Sequence, residues 1–296
     1  MEEILLNHYL DTGTYTYAGA YKDYFISLPS EIADLGRLIC MQVIHRVTLK
    51  QGNTNANQDL RYGDMNQFPW HRMRCEDDVL LTAPAMTAEL FRLDHKGFTF
   101  ERKVENKLVV TCRYVSVLMS AILKAKGIPC RSRSGFAPYI IKGSSLDHWV
   151  NQCWDKKAMR WVTFDADGLL DAEKIGFDQY DIPEDRFDWA ADTWLKIRKG
   201  MVDGNQFKYA GGLDNLQAVI RAVFYDFHAL MNHEISYLFQ PAYIDGKFDD
   251  LSAEEMCEID MLCEAMCFPD EHYKQLHEIW DNRRKFRILN SPLVSQ

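Results

Sequence analysis

The chain has 296 residues, 47% apolar and 26% charged, enough for a substantial buried core in one large domain or two modest ones. Asp and Glu outnumber Lys and Arg by 43 to 34, a formal charge of −9. That balance argues against nucleic acid or an anionic membrane surface as a partner, and the short basic clusters at Arg131/Arg133 and Arg283–Lys285 read as solvated faces.

No stretch approaches the ~20 apolar residues that span a bilayer. The N-terminus has no basic, apolar leader, and eight cysteines fall at irregular spacings. Together these point to reduced thiols in the cytoplasm.

The first thirty residues, rich in Tyr, Thr and Gly, hold no clear period. Ser30 is then placed as an N-cap, and Ile32, Leu35, Ile39, Val43 and Ile44 fall on one face of a predicted helix. Residues 49–65 read as a polar loop, and a second helix is predicted over 84–95 from Met86, Leu90, Phe91 and Leu93. From Thr111 the chain reads TCRYVSVLMSAILKAKGIPC. Val115, Leu118, Met119, Ile122 and Leu123 mark a helix burying one face, with Thr111 as N-cap, Gly127 ending it and Pro129 forbidding its continuation. Three strands follow, Arg131–Ile141, His148–Trp154 and Arg160–Phe164, bounded by turn residues. A helix followed by a strand meander implies an α+β unit. Helices are predicted again over 186–199, 213–238, 252–267 and 270–284, the third opened by a Ser252–Glu255 capping box.

Cys112 stands at the start of a helix, where the dipole and the first N–H groups favour a thiolate and can hold an oxyanion. His148 is the candidate general base and Asp165 the carboxylate that orients it, at gaps of 36 and 17 residues. Asp167 would share the strand face of Asp165 and is the weaker choice. Arg113, Tyr114, Arg131, Arg133 and Trp149 are candidates to line a substrate pocket, although Trp149 and Trp161 also suit a core. Gln67 and Trp70 are candidate donors of a second oxyanion hydrogen bond.

The segments TCRYVSVLMSAILKAKGIPCRSRSGF, DHWVNQCWD and RWVTFDAD resemble the transglutaminase-like superfamily. The matching positions are Cys112, Gly127-Ile128-Pro129, Arg131, His148, Trp149, Trp161 and Asp165. The flanking stretches YAGAY, LPSEIADL and FDQYDIPEDRF are similar to a bacterial branch of it. The resemblance implies a papain-like core, a Cys-bearing helix packed on an antiparallel sheet, and acyl transfer through a Cys–His–Asp triad. Thr111 before the cysteine and Arg113-Tyr114 after it depart from the pattern of related branches, and Tyr114 narrows the expected acyl pocket.

Other signals fail. Asp11-Thr12-Gly13 occurs once, where aspartic protease chemistry needs two carboxylates, and His233-Glu234 has Tyr237 where a zinc helix needs its second histidine. Cys257, Cys263 and Cys267, interspersed with methionines, read as a sulfur-rich packing face and not a metal site, and the sequence holds no Gly-rich phosphate loop, so neither a metal nor a nucleotide cofactor is expected.

The sequence thus predicts an α+β fold: an N-terminal helical part (1–104), a catalytic segment (105–170) and a helical C-terminal extension (171–296). The expected activity is cysteine-dependent hydrolysis or acyl transfer on a peptide or small amide. The alternative is a catalytically idle binding module, and homo-oligomerisation is left open.

Overall fold

The structure, a computed structural model, describes residues 3–46, 68–72, 76, 79–167, 175–209, 212–241, 244 and 247–288. The predicted loop at 49–65 and Gln67 lie outside the described residues. The fold is α+β, as expected, and its chain forms two compact units that interleave in sequence. One, bearing Cys112, comprises Tyr9–Cys130 and Val150–Ile182; the other, bearing His148, comprises Met1–His8, Arg131–Trp149 and Pro183–Gln296.

In the Cys112 unit, helices α2 (Lys22–Ser27), α3 (Ile32–Cys40), α4 (Ala83–Leu93) and α5 (Cys112–Ala125) accompany two short strands. These strands, β1 (Val43–His45) and β2 (Leu108–Val110), pair in parallel, with Ile44 opposite Val109 and His45 opposite Val110. The predicted helix from Ser30 is thus shorter than its periodicity suggested. Its N-cap is Glu31, with no side-chain cap, and it ends at Cys40. Gln42 donates from Nε2 to the carbonyls of Leu38 (2.6 Å) and Thr99 (2.8 Å), so the β-branched Val43 and Ile44 continue as strand.

Helix α5 follows its sequence signals closely. Gly127 takes φ +77°, Ile128 N–H donates to Leu123 O (3.0 Å) and Gly127 N–H to Lys124 O (2.9 Å), a Schellman ending. Burial, however, extends around the whole helix rather than one face: every residue from Cys112 to Lys124 is buried. Its polar side chains are satisfied inside the unit. Ser116 Oγ donates to Val150 O (3.2 Å), and Asn151 Nδ2 donates to Ser116 O (3.0 Å) and Ser120 Oγ (2.9 Å). Lys124 Nζ donates to Asp11 O (2.8 Å). The strand carrying Asn151, β4 (Ser144–Asp155), pairs antiparallel here with β5 (Arg160–Phe164), Asn151 opposite Phe164.

The other unit holds β3 (Cys130–Ile141) from Arg131 onward, the start of β4, and two short strands, β6 (Asp188–Trp189) and β7 (Phe207–Lys208). Strand β3 adjoins β4 and takes β6 antiparallel on its other side, while β7 runs parallel to Ser145-Leu146 of β4. Gly135 is required at the β6 pairing, because a Cβ there would lie 2.4 Å from the Asp188 carbonyl oxygen. Helices α6 (Ala190–Arg198), α7 (Asn215–Leu230), α8 (Ala253–Cys267) and α9 (Tyr273–Asn282) complete this unit. Both halves of the Ser252–Glu255 capping box form. Helix α7 stops eight residues short of its predicted end at 238, and Asn232 turns into the left-handed region at φ +57°. The predicted sulfur-rich face of α8 is only half realised, since Cys263 and Met266 are buried but Met261 and Cys257 are exposed.

A buried ion pair and a buried histidine, His228, both contribute to this unit's stability. Asp226 accepts from Arg133 Nε (2.8 Å), Arg133 Nη2 (2.9 Å) and the Ser134 amide (2.9 Å), and the Trp189 ring covers the guanidinium at 4.5 Å. Removing the carboxylate leaves a buried cation, so Asp226→Ala is expected to cost about 3–5 kcal/mol. The urea midpoint checks this, and the apolar pair Arg133→Met/Asp226→Leu should recover most of the loss.

Burial holds the His228 pKa down at about 3, and burial also lowers those of His233 and His277. A histidine neutral when folded takes up a proton on unfolding. Stability is therefore full above the ordinary value of 6.5 and falls as pH drops from there toward about 3. Across that whole window His228 alone accounts for on the order of 5 kcal/mol. The urea midpoint should fall between pH 7 and pH 4, and His228→Gln should flatten the slope whatever its midpoint at pH 7.

Candidate active site

Three chain segments of the Cys112 unit meet at the start of α5. The first is β2, which ends at Val110 and passes through Thr111 directly into the helix. Thr111 occupies the N-cap position in extended conformation, as predicted, but its side chain makes no capping bond. Its hydroxyl oxygen is buried and makes no hydrogen bond among the described residues. Instead the Tyr114 N–H turns back to the Thr111 carbonyl (3.0 Å). Cys112, the first helical residue, is 5% exposed and sits at the positive end of the helix dipole.

The second segment is β1, whose register against β2 sets His45 opposite Val110, two residues before the cysteine. The third is the exit of β5, Asp165-Ala166-Asp167. Its Asp165 amide donates to Gln179 O (2.8 Å), and Asp165 Oδ1 accepts the Asp167 N–H (2.9 Å), which sets the turn. Cys40, closing α3, donates from Sγ to Ala166 O (2.9 Å) and ties this exit to the segment that leads into β1.

The outcome is a buried His–Cys–Asp grouping. One ligating atom from each of His45, Cys112 and Asp167 lies within 4.8 Å of the other two, and His45 Nε2 stands 3.3 Å from Asp167 Oδ2. His45 was not singled out by the sequence, and Asp167 stood there as the weaker alternative to Asp165. The signal for His45 was the apolar Val43-Ile44 pair before it, matched to Leu108–Val110 before the cysteine.

The other predicted residues are placed as follows. Asp165 is buried in the same unit as Cys112, while His148 and Trp149 are buried in the other unit, where β4 passes from one to the next. His148 lies edge-on to Tyr139 at 6.4 Å, and Trp149 packs against Tyr225 at 6.0 Å. Arg113 is fully buried between the rings of Tyr15 (4.7 Å) and Tyr114 (4.5 Å) and donates to Leu81 O (3.2 Å). Arg131 and Arg133 form ion pairs with Asp270 and Asp226, so neither is a solvated surface charge. Trp70 lies on a 3-10 turn, Trp70–Arg72, and its side chain is outside the described atoms.

Residues 98–166 match the core of the transglutaminase-like superfamily, and that stretch contains Cys112, His148 and Asp165. A solved structure, "a Putative Cysteine Protease from Cytophaga hutchinsonii", is similar at 14% identity and a TM-score of 0.36. The similarity covers 65% of this chain and 50% of that one, so this chain spans about half the length of that protein. No curated protein matches the chain. Among the described residues no helix is long and apolar enough to cross a membrane, and no disulfide forms.

Burial, with Asp167 and Asp165 nearby, pushes the Cys40 thiol up to about 12, although Lys107 pulls the other way. Cys40 should therefore resist iodoacetamide in the native protein at pH 8–9, where the exposed Cys257 is labelled. Peptide mass spectrometry reads both, and Cys40 labelling as fast as Cys257 would contradict this reading.

Proposed function

We propose that this protein is a cysteine-dependent hydrolase or acyltransferase acting on an amide, peptide-like bond. The observation that carries the reading is the buried cysteine at the N-terminus of α5, within the segment that matches the transglutaminase-like core. Cys112 is the nucleophile, His148 the general base and then acid, and Asp165 the carboxylate that orients it. The Cys112 thiolate attacks the carbonyl carbon, and N–H groups at the helix start receive the oxyanion. The C–N bond then breaks, and the amine leaves with the proton that the imidazole took from the thiol. Water, or a second amine, attacks the thioester and returns the sulfur to its starting state. Peptides or small amides are the proposed substrates, and a reducing cytoplasm would keep the nucleophile active.

The first test is the pH dependence of Cys112 alkylation in wild type and His148→Ala. An activated thiolate–imidazolium pair labels rapidly near pH 6 and loses that labelling in the variant. Labelling that rises only near the ordinary thiol pKa of about 8.5, in both proteins, would leave a binding module as the better reading. Cys112→Ala should abolish amide turnover while the fold persists.

A further inference from the structure

The His45–Asp167 pair has no part in that catalytic scheme, yet a ligating atom of each lies within 4.8 Å of the Cys112 sulfur. We infer that His45, Cys112 and Asp167 form a binding site for a thiophilic divalent cation, zinc above all, which masks the nucleophile when bound. The inference stands whether or not Cys112 turns over an amide.

Three observations carry it. The first is donor chemistry. One thiolate, one imidazole and one carboxylate make a mixed S, N, O set that suits zinc, whereas magnesium and calcium require several oxygens. The second is geometry. With zinc–ligand bonds of about 2.0–2.3 Å and tetrahedral angles, ligand atoms stand roughly 3.3–3.6 Å apart. His45 Nε2 and Asp167 Oδ2 are already 3.3 Å apart, and the Cys112 sulfur lies within 4.8 Å of the ligating atoms on both. The remaining closure, at most roughly 1 Å at the sulfur, is within the swing of one cysteine χ1 angle.

The third observation is preorganisation. His45 is fixed by the β1–β2 register, Cys112 by the buried α5, and Asp167 by the hydrogen bond its N–H donates to Asp165 Oδ1 and the neighbouring Cys40–Ala166 contact. Each ligand thus comes from a different segment, all three are buried, and none sits on an exposed acidic surface. Three protein ligands leave a fourth tetrahedral position for water. Binding forms a zinc–sulfur bond and breaks the S–H bond, its proton passing to solvent, with no redox change.

The test uses the full chain, stripped of metal by a chelator, with cobalt(II) as the spectroscopic probe and zinc(II) as competitor. Stoichiometric cobalt should give an intense near-ultraviolet sulfur-to-cobalt band that zinc abolishes. The band should be lost in Cys112→Ser and need more than about tenfold more cobalt in His45→Gln and Asp167→Asn. A second readout needs no variant: in wild type, stoichiometric zinc should slow Cys112 alkylation by more than about tenfold while leaving the exposed Cys257 unchanged. Absence of the band, or an undiminished band in His45→Gln, would overturn the site and leave the three residues as a buried histidine and carboxylate beside a thiol. Neither readout involves amide turnover. Failure of the metal site and failure of the catalytic reading are therefore separately visible.

Discussion

A helix buried along its whole length can present a reactive group to a ligand only at an end. That constraint governs the Cys112 unit. Burying α5 removes several large apolar side chains from water, each worth about 1.5–3 kcal/mol, but it also buries Arg113, Ser116, Ser120 and Lys124. Asn151 resolves part of that cost by bonding both a helix carbonyl and the Ser120 hydroxyl from β4. The helix cannot rotate about its axis without orphaning these groups, so the direction of Cys112 is fixed by bonds made one to two turns away.

Charge is handled differently in the two units. Arg133 and Asp226 are a buried pair: the carboxylate accepts two guanidinium hydrogen bonds and one from the Ser134 N–H, and the Trp189 ring covers the guanidinium. Around Cys112 the carboxylates of Asp165 and Asp167 stand near two thiols, and their field raises the proton affinity of Cys40. Lys107, buried nearby, moderates that field, while burial lowers its own pKa. An acidic, sulfur-containing cluster at a helix N-terminus is matched to ligands that bring or acquire positive charge as readily as to an oxyanion.

What could be read in the sequence was local. The α5 pattern, its Gly127-Ile128-Pro129 ending, the meander after it and the capping box at Ser252 all depend on neighbours a few residues apart. The misread element was β1. Val43 and Ile44 fit a helical period, and what makes them strand is a partner in β2 more than sixty residues later, which no local spacing reports. The same is true of Arg131 and Arg133. Their spacing suggested a solvated face or an anion pocket, but their partners, Asp270 and Asp226, come from the far C-terminal part of the chain.

His45 falls in that non-local category, and its position limits what a family pattern can say about this site. The matched segment begins at residue 98, so it covers Cys112 and Asp167's neighbour Asp165 but not β1. Within 4.8 Å, and at an effective dielectric of about 20, a unit charge acts on a thiolate with at least roughly 3 kcal/mol. An imidazolium at His45 would favour the thiolate by about that much, and a carboxylate at Asp167 would oppose it to a similar degree. A cation between them would reverse that balance, because it favours the thiolate and satisfies the carboxylate together. The ionisable groups nearest Cys112 therefore include two that the triad pattern does not assign, and both His45 and Asp167 lie outside the matched segment, Asp167 by a single residue.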